Sequence, residues 1–376
     1  MFSALRFTLT HENIYQVNPL NYQLGIMSNN VKSGGLESIF SQTMMDLLEK
    51  VKSDTKLYHY TSPEGLFSII KHNTIRFTDY RFLNDKTEYK YILIPLSSVI
   101  ERIIDKIDID ILLGLYLFII NEIDNVTYSE YRGNIQIVLE RLANNGYDSE
   151  TLSEYCDYYR TVACNTSIGY SFSTSIDNDS LEMWNYYVKN GKYEGYNIGF
   201  TFDGIMDCFK DIISSNSITL AHGPVIYSRK EQESILEKII NTADINLKDE
   251  KKRQSHDWEE NGKLSYIQTQ LGQIIGFCPF FKDSHFENEQ EYRFFLEINY
   301  LDEKSKNIIT ESHFLKNGLI IPCCDVTINK KNTIKTITIS PIMEKMIAKI
   351  GVRSLLNQYK YKYYIEINQS TVPIRY

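Results

Sequence analysis

The apolar pattern of this chain changes period near residue 165, and that switch limits the fold more than any single motif. From about 88 to 160, apolar residues recur at helical spacing in segments rich in Ile, Leu, Tyr and Glu, broken near Pro95 and Asn144-Asn145-Gly146. Strand-like runs then take over at Ile168–Ser175, Tyr196–Phe202, Val225–Ser228, Tyr292–Ile298, Leu319–Cys323, Ile334–Ile339 and Tyr363–Ile367. Helical stretches at Ser180–Lys189, Lys230–Asn241, Trp258–Ile275 and Ile342–Leu356 alternate with them. Upstream, residues 1–35 read as an N-terminal extension ending in Ser33-Gly34-Gly35, and Leu36 to Val51 as a helix with an apolar stripe. The expectation is a single α+β domain over 36–376, with a helical insertion at about 88–160 beside the sheet.

The bulk properties exclude several classes. With 376 residues, 43% of them apolar and 23% charged, the chain can bury a substantial core. A net charge of −8 argues against a general nucleic-acid binder or a protein held on an anionic membrane. The six cysteines form no CxxC pair, so neither a zinc site nor a disulfide framework is expected, and a reducing, cytoplasmic location is. The longest uncharged apolar run, Ile111 to Ile120, is too short to span a bilayer and reads as a buried helix or a face for a homodimer. No GxGxxG, Walker A or GxSxG pattern is present, and no metal is expected.

Three segments carry polar groups in suggestive order. In Leu57-Tyr58-His59-Tyr60-Thr61-Ser62-Pro63, a strand delivers His59 and Thr61 on one face to a helix start, where Ser62 suits the N-cap and Pro63 the first helical position. The strand Tyr170-Ser171-Phe172-Ser173-Thr174-Ser175 offers uncharged hydroxyls. In Glu289-Gln290-Glu291-Tyr292-Arg293, strand alternation puts Glu289, Glu291 and Arg293 on one face, a carboxylate pair with its own counter-ion. Each also reads as ordinary structure: a capped turn, a strand end, a solvated edge. Trp184, on an amphipathic stretch, reads as core.

In order, these residues resemble an uncharacterised bacterial domain-of-unknown-function family. The resemblance rests on Tyr60-Thr61-Ser62, Phe82-Leu83-Asn84-Asp85 with Glu88, Ser171-Phe172-Ser173, Met183-Trp184, Glu289-x-Glu291-x-Arg293 and the terminal Val372-Pro373-Ile374-Arg375. More loosely they are similar to the ADP-ribosyltransferase superfamily, through His59 with Thr61, Ser173-Thr174-Ser175 and Glu289-x-Glu291, although Tyr60 stands where that family has glycine. This second resemblance implies a mixed, mainly antiparallel split sheet with flanking helices, and NAD as substrate. It implies Glu291 as the catalytic carboxylate, Glu289 orienting an acceptor or water, and His59, Thr61, Ser62, Tyr80, Ser173, Ser175 and Arg293 around the dinucleotide. The acceptor would be a protein or a nucleic acid, and the setting a toxin-type effector in anti-phage defence. Two other functions fit the same residues: a nucleotide-binding regulatory module without turnover, and a nuclease or RNA-modifying effector in which His59 is catalytic together with Glu289 and Glu291.

Overall fold

The structure, a computed structural model, describes residues 55–83, 89–122, 128–162, 168–188, 194–210, 218–253, 260–298, 305–316, 318–361 and 364–373. The expected extension at 1–35, the helix at 36–51, and Asn84, Asp85, Glu88, Ile374 and Arg375 lie outside the described residues. In chain order, β1 (Lys56–Thr61), α1 (Pro63–His72) and β2 (Thr74–Asp79) come first. Four helices follow: α2 (Leu93–Ile103), α3 (Ile109–Glu122), α4 (Tyr128–Ala143) and α5 (Ser149–Val162). Then come β3 (Ile168–Ser175), α6 (Leu181–Tyr187), β4 (Tyr196–Thr201), α7 (Phe202–Met206) and β5 (Ile218–Pro224). Helices α8 (Arg229–Arg253), α9 (Glu260–Leu271) and α10 (Gln273–Phe277) lead to β6 (Glu291–Ile298), β7 (Ile309–Lys316) and β8 (Leu319–Thr327). The last elements are β9 (Ile334–Ile339), α11 (Lys345–Gln358) and β10 (Glu366–Gln369).

The described elements sort into two compact units, one made of those between 89 and 162 and between 228 and 281, the other of those between 55 and 83, between 168 and 227 and from 282 onward. In the helical unit, the helices of 93–162 fold with α8, α9 and α10. Helix α3 buries Ile111, Leu112, Leu113, Leu115, Leu117, Phe118 and Ile119, as its uncharged run implies. It approaches α9 closely at Gly114, where an added Cβ would stand 2.4 Å from Ile267. The buried Asp110 of α3 is matched by Lys251 at 2.8 Å, Lys263 at 3.0 Å and the Tyr147 hydroxyl at 2.8 Å. Among the described residues no helix is long and apolar enough to cross a membrane.

The other unit holds an open, ten-stranded, mostly antiparallel sheet in the order β10-β9-β4-β1-β3-β2-β8-β7, with β6 added beside β3 and β5 beside β6. Among the described residues, only β9 and β10 run parallel. Strand β3 organises the sheet. One of its edges pairs with β6 from Ile168↔Ile298 to Ser175↔Glu291. Its other edge is divided: Ser175 pairs with Tyr58 of β1, and Tyr170 and Ser171 pair with Asp79 and Thr78 of β2. Between those contacts β1 and β2 part.

Helix α1 forms as its sequence implies. The Ser62 hydroxyl accepts from the Gly65 amide at 3.2 Å, Pro63 occupies the first turn, and Asn73 ends the helix at φ 58. Its Leu66, Ile69 and Ile70, with Ala348, Val352 and Leu356 of α11, cover one sheet face through a core that includes Phe77, Phe172, Phe200 and Phe294. Two strands differ from expectation. Past β4 the ladder runs at Ile218–Pro224 and not at Val225–Ser228, because half-buried His222 packs among aromatic rings and takes an apolar place in the alternation. Strand β7 carries no apolar alternation to read, since as an edge strand it exposes Thr310, Glu311, His313, Leu315 and Lys316.

Candidate functional site

Directly opposed residues of an antiparallel pair share a face. The pairs Tyr58↔Ser175, Ser175↔Glu291 and Ser173↔Arg293 therefore put Tyr58, Ser173, Ser175, Glu291 and Arg293 on one face. By alternation His59 and Thr61 fall on the other, with Phe172 and Phe294. The expected ligand-binding pair thus looks away from the expected catalytic carboxylate. The His59 ring lies 5.1 Å from that of Phe172, and its Nδ1 is 3.1 Å from the Ser173 carbonyl oxygen, where it donates across the parting of β1 and β2. Burial holds its pKa below the usual histidine value, which keeps the ring neutral. Thr61 lies against the first turn of α1, its Oγ1 1.9 Å from where a Cβ on Gly65 would stand, and Ser62 caps that helix.

The polar face is built around charge. Arg293 donates to Glu291 Oε1 through Nε at 2.8 Å and Nη2 at 2.6 Å. Lys282 Nζ lies 3.1 Å from Glu291 Oε2 and 2.6 Å from Glu289 Oε2, joining the two carboxylates. The Tyr187 hydroxyl donates to Glu289 Oε1 at 3.1 Å, and the Glu291 amide donates to the Tyr227 hydroxyl at 3.1 Å. All four charged residues are nearly enclosed, with Glu289 7%, Glu291 5%, Lys282 5% and Arg293 2% exposed. Two cations and two anions make the group neutral, the form in which buried charge is tolerated. For Glu291, burial alone would raise the pKa. Arg293, Lys282 and the Ser173 hydroxyl that hydrogen-bonds the carboxylate outweigh it and hold the group at about 2.

Glu289 does not reach this cluster as part of a strand. It closes a 3-10 turn, Ser284–Glu289, and Gln290 follows in the left-handed region at φ 42, so the alternation assumed through Glu291 is broken. The two carboxylates meet because Lys282 bridges them. Ser175 donates to the Glu289 carbonyl at 2.7 Å and accepts from the Asp177 amide at 3.1 Å, which ties the turn to β3. Tyr80 sits in the short 3-10 turn Tyr80–Phe82, with its ring 6.2 Å from that of Phe295. Phe295 is four positions along β6 from Glu291, so the structure does not bring Tyr80 to the carboxylates.

Sequence reading missed Lys282, Tyr187 and Tyr227. Lys282 had a signal: it is the one charge closing the apolar run Gly276-Phe277-Cys278-Pro279-Phe280-Phe281, next to an acidic segment that needs cations. The tyrosines had none, in a chain with 28 of them. Trp184 is core, fully buried with the Tyr60 ring edge-on at 4.9 Å. Its indole N–H donates to Asp179 at 2.9 Å, and Asp179 also accepts from Ser370 Oγ at 2.5 Å and from the Thr371 amide at 2.7 Å and hydroxyl at 2.9 Å. The C-terminal residues are thereby clasped to the start of α6, the helix that carries Tyr187.

Fold and site together define a mixed α+β protein with a divided sheet and an enclosed, neutral cluster of four charges on one face of it. Residues 183–294 match the model of a family described as a protein of unknown function (DUF2971), from Met183 on α6 to Phe294, one position past Arg293. No curated protein matches the chain, and no solved structure does.

Proposed function

We propose that the protein cleaves the bond between nicotinamide and ribose in NAD, as an ADP-ribosyltransferase or an NAD glycohydrolase, with Glu291 as the carboxylate that faces the ribose. The observation that carries this reading is the state of Glu291. With Arg293 donating to one of its oxygens and Lys282 to the other, the carboxyl is held below the ordinary glutamate range and has no proton to give at neutral pH. It is therefore unsuited to general acid work and suited to stabilising positive charge that develops on a sugar as its leaving group departs. Glu289, held by Tyr187 and Lys282, is in this reading the second carboxylate, which would orient an acceptor hydroxyl or water. His59 acts in this reading as a positioning residue, since its bond to the Ser173 carbonyl fixes the strand whose hydroxyl meets Glu291. The divided edge of β3 supports a split sheet of the ADP-ribosyltransferase-like type. A cytoplasmic effector acting in bacterial defence is the setting that the family resemblance suggests.

A second reading has its own observation. Both Glu291 oxygens are engaged and the side chain is nearly enclosed, which favours an ion cluster that supports a nucleotide-binding module without turnover. One experiment separates the two. Purified protein and its Glu291→Gln variant are given NAD labelled in the nicotinamide ring, with circular dichroism confirming that both are folded. The first reading expects nicotinamide release from the parent and none from the variant. Identical treatment of NAD by both proteins overturns it, and calorimetric NAD binding without release establishes the second.

A further inference from the structure

In the proposed reaction Glu291 has to meet a sugar, yet both its oxygens are engaged and its side chain is nearly enclosed. On the side of Glu289 the covering element is α6, whose last residue, Tyr187, donates its hydroxyl to Glu289 Oε1 at 3.1 Å. Helix α6 has seven residues, too few to hold together unaided, so its position depends on what it packs against. Ser180 caps it, accepting from the Met183 amide at 3.3 Å, and the Ser180 amide donates to the Tyr60 hydroxyl at 2.9 Å. The rest of its support comes from residues 370–373.

These residues follow β10 as a strap with no helix or strand of their own. The Ser370 amide donates to the Ile339 carbonyl at 2.9 Å, which fixes where the strap leaves the sheet. From there it turns onto α6. Asp179, two positions before the helix, accepts from Ser370 Oγ and from the Thr371 amide and hydroxyl, and shares Oδ1 with the Trp184 N–H. Val372 packs against the small cluster of Tyr60, Met183, Trp184 and Val188. Thr371 and Pro373 are exposed and Val372 is half-buried. A segment with so few buried contacts opens far more readily than a strand of the sheet.

We propose that residues 370–373 are a latch. Engaged, they hold α6 down with Tyr187 on Glu289 and keep substrate from the carboxylates. Released, they free α6, and the polar face opens from the side of Glu289 to the NAD on which Glu291 acts. The helix connects the two events because Asp179 stands at its start and Tyr187 at its end. The closed arrangement is the resting state, and a partner that binds residues 370–373 more tightly than Asp179 and α6 do shifts the population to the open one. This regulation rests on the reading of Glu291 as the carboxylate that faces the ribose.

The test uses the full-length protein and three variants, each checked for folding by circular dichroism. Val372→Asp puts a charge where the strap packs, and Thr371→Pro removes the amide that donates to Asp179. Thr371 is exposed, so its variant carries the test where Val372→Asp does not fold. Val372→Ile keeps the packing and is the control. Carbodiimide labelling of carboxyl groups, read by mass spectrometry and scaled to the exposed Glu287, reports enclosure without any nucleotide. Both disruptive variants should raise labelling of Glu289 and Glu291 about fivefold or more, as coupled sites do, while Val372→Ile matches the parent. Nicotinamide release from labelled NAD should rise in the same two variants. Unchanged labelling of both glutamates overturns the latch, whatever happens to NAD. Raised labelling with release equal to the parent's overturns it too, since opening would then not govern the reaction. Raised labelling with no release from any of the four proteins keeps the latch and overturns the reading of Glu291.

Discussion

His59 and Ser173 are joined through the Ser173 backbone, and their side chains point to opposite faces of the sheet. Ser173 lies on β3 where β1 and β2 part, with neither strand paired to it in the described ladder, and the imidazole N–H donates to its carbonyl there. The histidine is thus a structural donor at the fork of the sheet. His59→Phe should keep the ring contact with Phe172 and lose this bond, lowering stability by about 1 kcal/mol. Urea unfolding measures this. A variant as stable as the parent would mean that the carbonyl finds water or another donor.

Lys282 connects two carboxylates that would otherwise repel each other inside the protein. Lys282→Met keeps most of the volume and removes the cation, leaving Glu289 and Glu291 with one fewer buried counter-charge. Breaking a buried pair from one side costs about 3–5 kcal/mol, far more than a surface ion pair contributes. Adding Glu289→Gln to the same chain should recover part of that loss, because the excess negative charge disappears. Denaturant midpoints of the two variants decide it, and a Lys282→Met protein within about 0.5 kcal/mol of the parent would contradict the enclosed cluster, since that is the range of surface substitutions.

How much of this was legible in the sequence depends on whether the information is local. The capped turn at Ser62, the buried run of α3, the partition of Glu291 and Arg293 from Tyr292 and Phe294, and the core role of Trp184 follow from spacing and capping, and the structure agrees with them. The register between strands is not local. A single pairing, Tyr58↔Ser175, decides that the tyrosines and not His59 share a face with Glu291. The left-handed Gln290 is likewise unmarked, because only backbone geometry reports it. Lys282 had a local signal but not its partners, which lie seven and nine positions away on either side of the left-handed Gln290.

Asp179 holds the C-terminal residues to α6 through bonds from Trp184, Ser370 and Thr371. Burial alone would raise its pKa, but these donors outweigh burial and lower it. The carboxylate is therefore stabilising above the ordinary aspartate range, and that contribution is lost as pH falls through its lowered value. Asp179→Ala should release Ser370 and Thr371, leave the Trp184 N–H without its acceptor, and lower stability by about 1–3 kcal/mol. Hydrogen exchange gives the more specific readout: amides of Thr371 and α6 should exchange faster, while those of β9 stay protected. Unchanged exchange at Thr371 would show that the clasp does not hold the C-terminal residues.

His222 makes the fold sensitive to mild acid. Its ring sits among Phe202 at 5.3 Å, Phe294 at 5.8 Å and Tyr292 at 6.2 Å, and its Nδ1 is 2.9 Å from the Tyr292 hydroxyl. Burial lowers its pKa from 6.5 to about 4. Above 6.5 the residue is neutral in both folded and unfolded chains and adds no pH dependence. As pH drops from 6.5 towards 4, the unfolded chain takes up a proton that the folded protein refuses, so stability falls, by up to about 3 kcal/mol across the window. Glu291 contributes separately and at lower pH, between the ordinary glutamate range and its own value of about 2. His222→Phe removes the first dependence and leaves the second. The stability gap between variant and parent should therefore shift by about 2 kcal/mol in favour of the variant between pH 7 and pH 5, read from urea unfolding at both. A gap that is the same at the two pH values would show that the histidine is protonated inside the folded protein.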